Sequence, residues 1–322
     1  MKYELLNRLG AGGYGVVFRA LDRNTNRFVA LKFLPHREDD PGYAERNFNE
    51  TYSHARLDHP NIVKVHGAGQ YPDGREYIEM QLITGGDLSA RLADEQMRRA
   101  ELAVDLIATA ARAVDFAHRQ GIIHGDLKPG NILIDEQSRS PLVTDFGAAK
   151  MLGLSDDEVT ARVGTLAYMA PEQCGYQPDR LCQIDRWTDI YALGAMLYQM
   201  LSGARPYARE LEARAAAAPT TDRTEAPKSP LQQRRELFEA GLMPTPLSQL
   251  PRHHTIGRGA DRELDIVVLG ALAIHRADRY ESAAALARDL DRWVHGLAVH
   301  GPKRDAPPLT RRARTFLRHN AQ

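Results

Sequence analysis

The hydrophobic and polar positions divide the chain into two parts with different periodicity. Residues 3–34 alternate apolar and polar positions around glycines and the turn-like stretch "DRNTNR", which predicts twisted antiparallel strands. One helical pattern, "YAERNFNETYSHARL", ends before Pro60, because a residue that precedes proline is disfavoured in helical geometry. Two more strands are predicted in "IVKVHGAGQ" and "EYIEMQLI". The first part is therefore rich in β-structure, with one main helix.

After the hinge-like stretch "TGGDL", apolar residues recur three or four positions apart in long segments such as "ELAVDLIATAARAVDFAHRQ". This spacing predicts a larger, mainly α-helical part, so the fold class is α+β. Residues 208–259 are rich in Ala, Pro, Thr and Arg, which predicts a flexible insert in which "FEAGLM" forms a short helix. Residues 297–322 are proline-rich and then basic, and we expect an extension, mobile or packed, outside the core.

The composition argues against several classes of protein. Lysine plus arginine and aspartate plus glutamate number 42 each, so nucleic acid is not expected as a partner. Cys174 and Cys182 lack the spacing of a zinc motif, and two thiols in 322 residues indicate a reducing compartment. The N-terminus lacks a signal peptide, and no apolar run approaches the roughly 20 residues that span a bilayer. We therefore expect a cytoplasmic chain with no transmembrane segment of its own.

A glycine-rich stretch, "GAGGYG", lies between two predicted strands. Glycines let the backbone fold closely over phosphates and present N–H groups to them, although ordinary hairpin turns share this pattern. The next strand carries Lys32, whose ammonium could reach phosphates under such a loop or could be solvated at an edge. A lysine that binds phosphate needs a carboxylate to hold it. Counting back from "HPNIV" gives Glu50 on the predicted helix, with Glu45 as the alternative.

The octapeptide "HGDLKPGN" carries the residue types of a phosphoryl-transfer loop. Asp126 can accept the proton of an alcohol, Lys128 can neutralise the transferring phosphoryl group, and Asn131 can ligate magnesium. In "VTDFGAAK", which follows, Asp145 can bridge the metal to the β and γ phosphates. In this order, after the glycine-rich stretch and the strand lysine, the motifs indicate an ATP-dependent phosphotransferase.

With these motifs the chain resembles the protein kinase family, in particular the bacterial Ser/Thr kinases related to the eukaryotic ones. The resemblance covers residues 1–296 and includes "GTLAYMAPEQ", "WTDIYALGAMLYQMLSG" and "RADRYESAAALARDL". It implies a two-lobed kinase domain with a β-rich N-lobe at 1–83 and a helical C-lobe at 84–296. The implied function is an ATP-dependent Ser/Thr protein kinase that uses Mg²⁺, or Mn²⁺ in its place.

The resemblance also implies roles for residues outside these loops. Glu172 would pair with Arg279, and Asp189 would brace the catalytic loop. Met80 would be the gatekeeper, and adenine would bond to the carbonyl of Gln81 and the N–H of Ile83. The ring would lie between Val17, Ala30 and Leu133, and the remaining expected ATP contacts are Leu9, Gly10, Gly12, Gly13 and Gly15.

A His-Gly-Asp loop is also found in small-molecule kinases of the aminoglycoside and choline kinase kind, so this triplet does not decide the substrate. Lys128, the full "DFG" and above all "GTLAYMAPE" favour a protein, because the resemblance gives that segment the role of docking a polypeptide. Lys128 with Thr165 resembles the Ser/Thr-directed pattern. A pseudokinase that serves as a docking module and, less favoured, a small-molecule kinase are the alternatives.

Most regulated protein kinases have Arg where this chain has Gly125, and that Arg holds a phosphorylated residue of the activation segment. We therefore expect activity that does not depend on such phosphorylation, or a switch operated by a regulatory partner. Thr160 and Thr165 are the residues to test. The sequence is also compatible with a homodimer and with the cytosolic kinase domain of a longer, membrane-anchored protein.

Overall fold

A computed structural model provides the three-dimensional description of the chain. Its Cα positions group into two compact units, the first drawn from residues 1–91 and 113–150 and the second from 92–112 and 151–322. The structure describes residues 2–12, 15–35, 56–94, 99–146, 163–176, 184–217, 228–250 and 262–302.

The first unit is built on a five-stranded antiparallel sheet with the strand order β1-β2-β3-β5-β4. The strands coincide with the predicted alternating segments. The stretch predicted as the main helix of this part falls almost entirely outside the described residues. The strands are β1 (Tyr3–Gly12), β2 (Gly15–Asp22), β3 (Arg27–Phe33), β4 (Val65–Gln70) and β5 (Glu76–Gln81).

The central strand, β3, is buried on both faces of the sheet. Ala30 packs on one face with Ile78 and Met80, whereas Leu31 and Phe33 pack on the other. Successive side chains of a strand point to opposite faces, which explains why "VALKF" is apolar almost throughout. The lysine in this stretch is therefore carried by a strand that is fixed on both sides.

A second, two-stranded sheet follows the octapeptide in the first unit. It pairs β6 (Ile132–Ile134) with β7 (Pro141–Val143), and a 3₁₀ turn at Pro129–Asn131 leads into it. Val143 also pairs with the stretch after Pro60, since its N–H donates to Asn61 O at 2.9 Å. Because β6 and β7 are antiparallel and Ile132 pairs with Val143, the octapeptide before β6 and the stretch after β7 lie at the same end of this small sheet, where Thr144 N donates to Asn131 O at 3.0 Å.

The second unit consists mainly of helices. A short helix, α1 (Leu88–Arg91), belongs to the first unit, and α2 (Ala100–Arg119) contributes residues to both. None of the described helices is long and apolar enough to cross a membrane. The remaining helices are α3 (Val163–Leu166), α4 (Arg186–Ser202), α5 (Ala208–Ala217), α6 (Pro230–Glu239), α7 (Arg262–Ala271) and α8 (Ala283–Val294).

Helix α4 is the central helix of the second unit and is buried along almost its whole length. Its first turn is capped by the Asp185 carboxylate, which accepts a hydrogen bond from Trp187 N at 2.9 Å. It packs closely on α7, because a Cβ at Gly194 would lie 2.7 Å from Cβ of Ala271. The glycine therefore sets the distance between these two helices.

The segment predicted as a flexible insert differs from that expectation where the structure describes it. Residues 208–217 and 230–239 form α5 and α6, and Leu231, Leu237 and Phe238 are buried in a cluster with Met169. Helix α6 also begins with a capping box, since Ser229 and Gln232 bond to each other's backbone N–H. The apolar residues are few but share one helical face, and the overall composition hides this pattern.

The chain after α8 returns along the helices of the second unit as far as Pro302. The buried Asp289 carboxylate accepts hydrogen bonds from His300 N at 3.0 Å, Gly301 N at 2.7 Å and Tyr280 Oη at 3.0 Å. A Cβ at Gly270 would lie 2.6 Å from Pro302. The first residues of the predicted extension are thus packed, and residues 303–322 lie outside the described part of the chain.

Candidate active site

The described glycines of the glycine-rich stretch lie at the paired ends of β1 and β2, where Gly12 is opposite Gly15. Gly15 has φ +116°, and a Cβ there would lie 1.9 Å from the carbonyl oxygen of Phe33. In contrast, a Cβ at Gly10 or Gly12 would have no atom within 4 Å. Gly15 is therefore required by the fold itself, whereas Gly10 and Gly12 leave open space above the backbone. Leu9 is exposed, and Gly13 lies outside the described residues.

Lys32 is held by its strand with only 8% of its surface exposed. It lies opposite Val17 on β2 and Ile78 on β5, so its side chain starts between two neighbouring strands. Its ammonium nitrogen lies 2.7 Å from Oδ1 of Asp145. Glu50, the carboxylate predicted to hold Lys32, lies outside the described residues, and so does its alternative, Glu45.

Asp145 follows β7 and has a left-handed backbone conformation, φ +61°. This geometry is uncommon for a residue with a side chain and is found where the surroundings fix the backbone. Burial raises the pKa of its carboxyl, but the charge of Lys32 and its hydrogen bond outweigh burial, so the pKa lies below its ordinary value. Asp145 is therefore a carboxylate at neutral pH.

The fully buried His124 joins the octapeptide to the stretch that carries Asp145. Its Nε2 lies 2.9 Å from Thr144 O, and its Nδ1 lies 3.3 Å from Asp126 N. A carbonyl can only accept and an amide N–H can only donate, so the Nε2-protonated neutral ring fits both contacts. The ring also packs against Phe146, with centroids 4.8 Å apart. His124 and Phe146 were not predicted as site residues, although both flank the predicted acidic residues.

Asp126 lies at the centre of the octapeptide and is 4% exposed. Its Oδ2 accepts from Lys128 Nζ at 2.6 Å, and Asn131 Nδ2 donates to the backbone oxygen of Asp126 at 2.8 Å. Its other oxygen, Oδ1, is buried and has no hydrogen-bond partner among the described residues. Gly125, just before it, has φ +74°, which glycine adopts readily. The loop thus holds one unpaired acceptor in a fixed position.

The side chains expected around adenine belong to one apolar cluster of the first unit. Ala30 and Met80 are buried there, with Val17, Ile83 and Leu133 packed against them. Gln81 is exposed, and its N–H donates to Lys64 O at 2.8 Å. This cluster is apolar and adjoins the strand that carries Lys32, as a flat heterocycle beside bound phosphates would require.

A buried ion pair organises the second unit. Arg279 donates to both carboxylate oxygens of Glu172, at 2.8 and 2.9 Å, and Thr188 Oγ1 donates to the same carboxylate at 2.8 Å. Burial raises the pKa of Glu172, but Arg279 lowers it further, so the net pKa lies below its usual value. Asp189 and Thr165 are buried in this unit, and Thr160 lies outside the described residues.

Comparisons with known proteins identify the family to which the chain belongs. The sequence matches the family described as "Protein kinase domain" over residues 3–260. Serine/threonine-protein kinase PknB of Mycobacterium tuberculosis (strain H37Rv) is 34% identical over 329 residues, covering 99% of this chain and 46% of that protein. Serine/threonine-protein kinase PknJ of the same strain is 34% identical over 312 residues, with 95% and 48% covered.

Solved structures give the same result for the fold. The crystal structure of the PknI kinase domain from M. tuberculosis has a TM-score of 0.63 and 26% identity, and the match covers 92% of this chain and 96% of that one. The chain spans about half the length of the curated relatives it matches. The family match covers most of the chain and the structural likeness extends over nearly all of it, so this chain belongs to the protein kinase family, among relatives of the bacterial eukaryotic-like Ser/Thr kinases.

Proposed function

We propose that this chain transfers the γ-phosphoryl group of ATP to serine or threonine hydroxyls of proteins. The observation that carries the proposal is the unpaired Oδ1 of Asp126, a buried carboxylate oxygen next to the ammonium of Lys128. A buried acceptor without a donor is costly in a folded protein unless something else binds there. The hydroxyl of a substrate is a donor of the required kind.

Asp126 and Lys128 would have different roles in the transfer. The substrate hydroxyl donates its hydrogen to Asp126 Oδ1, and its oxygen attacks the γ-phosphorus while the bond to the β-phosphate oxygen breaks. The proton passes to Asp126, and the electron pair of the broken bond stays on the β-phosphate oxygen of the departing ADP. Lys128 lies 2.6 Å from Oδ2 and can neutralise the phosphoryl oxygens during this step.

Three residues would hold the nucleotide phosphates and the metal. Lys32 is placed to contact the α and β phosphates, and the Asn131 amide nitrogen already bonds to Asp126, which leaves its Oδ1 for a cation. With the carboxylate of Asp145, this gives two oxygen ligands, the type that Mg²⁺ prefers. A bound Mg²⁺ would neutralise phosphate charge, and Mn²⁺ has similar ligand preferences.

A protein substrate is favoured by the segment "GTLAYMAPEQ", of which residues 165–172 are buried in the second unit. Lys128 together with Thr165 fits the Ser/Thr-directed pattern, and PknB and PknJ carry the same specificity in their names. A pseudokinase is less favoured because Lys32, Asp126 and Asp145 are all present. A small-molecule kinase would have no use for this segment.

The regulation proposed for this kinase follows from Gly125. A glycine cannot hold a phosphorylated residue by its side chain, so we propose activity without phosphorylation of the activation segment, or a regulatory partner in its place. Thr160→Ala should then retain activity close to that of the native chain. A large loss of activity in Thr160→Ala that a phosphomimetic at Thr160 rescues would contradict this part of the proposal.

We also propose a cytosolic location for the chain, because ATP is available there and the described thiol, Cys174, is free.

The test of the function is the intact mass of the chain and of an added basic protein after incubation with Mg²⁺ and ATP. The native chain should add phosphate to itself or to the protein, whereas Asp126→Asn should not. Asp58→Asn is the matched control, because Asp58 has a side chain that is 86% exposed. ATP-dependent thermal stabilisation without any transfer to protein would contradict the proposed function and favour the pseudokinase.

A further inference from the structure

The buried backbone between Thr165 and Ala170 contains the end of α3 and the turn that follows it. Tyr168 N bonds to Thr165 O at 3.0 Å and Met169 N bonds to Leu166 O at 3.3 Å, which are turn contacts. Buried carbonyl groups need donors, and a turn leaves several of them without a backbone partner. The side chain that supplies donors to this stretch therefore decides its conformation.

Arg234 supplies these donors from α6. Its Nη2 donates to Ala167 O at 3.1 Å and to Met169 O at 3.3 Å, and it also bonds to Tyr191 Oη at 3.2 Å. The side chain belongs to a residue that is only 3% exposed. Two carbonyls that are two residues apart are thus joined to one guanidinium group.

The charge of Arg234 has no carboxylate partner among the described residues. Its guanidinium lies 5.2 Å from the ring centroid of Tyr207 and 5.3 Å from that of Phe238, and its Nε is buried without a hydrogen-bond partner. Arg279, in contrast, is neutralised by Glu172. Burying a cation costs free energy, which among the described residues is offset by carbonyl dipoles, the Tyr191 hydroxyl, aromatic rings and the neighbouring Cys174 thiol. Arg234 therefore depends on its hydrogen bonds to the stretch 165–170 to offset the cost of its burial.

Neighbouring contacts fix the chain beyond this stretch. Arg235 Nε donates to Cys174 O at 2.9 Å, so two consecutive arginines of α6 bond to consecutive parts of the same segment. Arg279 holds Glu172 between them. Tyr191 connects the two buried cations, because its hydroxyl bonds to Arg234 and its ring centroid lies 5.0 Å from the Arg279 guanidinium.

We infer that Arg234 is a positioning residue for the polypeptide substrate: by holding the carbonyls of Ala167 and Met169, it fixes the segment on which that substrate docks. The inference rests on the proposed function. It identifies α6, within a segment whose composition suggested a flexible insert, as a structural support of the docking segment. Arg234 does not contact substrate or nucleotide in this scheme.

The test compares Arg234→Met and Arg234→Lys with the native chain. Methionine fills a similar volume without donors, and lysine keeps the charge but offers a single donor group. The KM for a basic peptide should rise about tenfold in Arg234→Met, the effect expected when donors to a substrate-positioning segment are lost, with a smaller rise in Arg234→Lys. The KM for ATP should change less than about twofold, since the nucleotide site is in the other unit.

Arg214→Met is the matched control, because Arg214 lies on the adjacent α5 with a side chain that is 43% exposed and 3.8 Å from Glu236 of α6. It should leave both KM values unchanged. Hydrogen exchange gives a readout that needs no substrate: amides at 163–176 should exchange faster in Arg234→Met, whereas those of α4 should not.

Unchanged exchange at 163–176 in a folded Arg234→Met would overturn the inference, and so would equal rises in the KM for peptide and for ATP. If the methionine variant does not fold, the lysine variant decides by the same two measurements. A native chain that transfers no phosphate to any peptide contradicts the proposed function, and with it the substrate role of Arg234. Faster exchange of the amides at 163–176 in that case would show that Arg234 stabilises this segment, without a role in substrate binding.

Discussion

The Lys32 ammonium lies 2.7 Å from Oδ1 of Asp145, a residue 113 positions later in the chain. The pair joins the central strand of the five-stranded sheet to the stretch after β7. Lys32 is 8% exposed, and the charge of the lysine keeps the carboxyl of Asp145 ionised. Both groups were expected to meet phosphates or metal, and their direct contact orients the two before any ligand binds.

Replacing Lys32 with methionine should reduce phosphoryl transfer at least about 100-fold, because a preorganised cation for the phosphates is lost. The pKa of Asp145 should rise, since burial would then lose its largest opposing effect, the charge and hydrogen bond of Lys32. Steady-state kinetics measure the loss. Lys64→Met is the control, because Lys64 and its partner Asp58 are both exposed. Retained activity in Lys32→Met would show that another cation binds the phosphates.

The glycines of the first turn should separate into two classes. Gly15→Ala should destabilise the fold, because its Cβ would lie 1.9 Å from Phe33 O and its φ is +116°. Gly12→Ala should leave the thermal midpoint nearly unchanged and weaken ATP binding, because the only space its Cβ fills is that above the turn. Thermal unfolding with and without ATP measures both effects. Normal ATP binding in Gly12→Ala would argue against phosphates lying over this turn.

Removing the charge of Glu172 should destabilise the second unit. Glu172→Gln leaves the fully buried Arg279 without its carboxylate, and breaking a buried pair in this way costs about 3–5 kcal/mol. Glu281→Gln should change stability by less than about 0.5 kcal/mol, because its pair with Arg288 is exposed on both sides. Urea unfolding followed by circular dichroism compares the two. Equal effects would mean that the buried pair contributes no more than the exposed one.

Acid should remove the contribution of Glu172 to stability. Its pKa is lower in the folded than in the unfolded chain, so the contribution is present above the unfolded pKa, about 4.3, and is lost as the pH falls through the folded pKa. The difference in unfolding free energy between native chain and Glu172→Gln should therefore be constant from about pH 7 to about pH 5 and shrink below about pH 4. A difference in unfolding free energy that grows on acidification would show that the pKa of Glu172 is not lowered by folding.

The strands and long helices could be predicted because their periodicity is strong. The strand pattern of residues 3–34 predicted β3, and the apolar spacing in "ELAVDLIATAARAVDFAHRQ" predicted α2. The family match confirms the protein kinase assignment, which the octapeptide and "DFG" indicated. These features are local, and short stretches of sequence suffice to specify them.

The contacts of Arg234 could not be predicted in the same way. An arginine in a polar stretch is expected at the surface. Only the fold shows that Leu231, Leu237 and Phe238 are buried, so that this face of α6 lies in the core. The pairing of Lys32 with Asp145 also depends on chain segments that are far apart in sequence. Glu50, Glu45, Gly13 and Thr160 remain predictions, because they lie outside the described residues.

Asp289 has a mechanical consequence for anything joined to the end of the helical unit. By binding the amides of His300 and Gly301, it makes a fixed point from which the polypeptide departs. Replacing Asp289 would release this anchor, and the backbone of His300 and Gly301 would lose its attachment to α8.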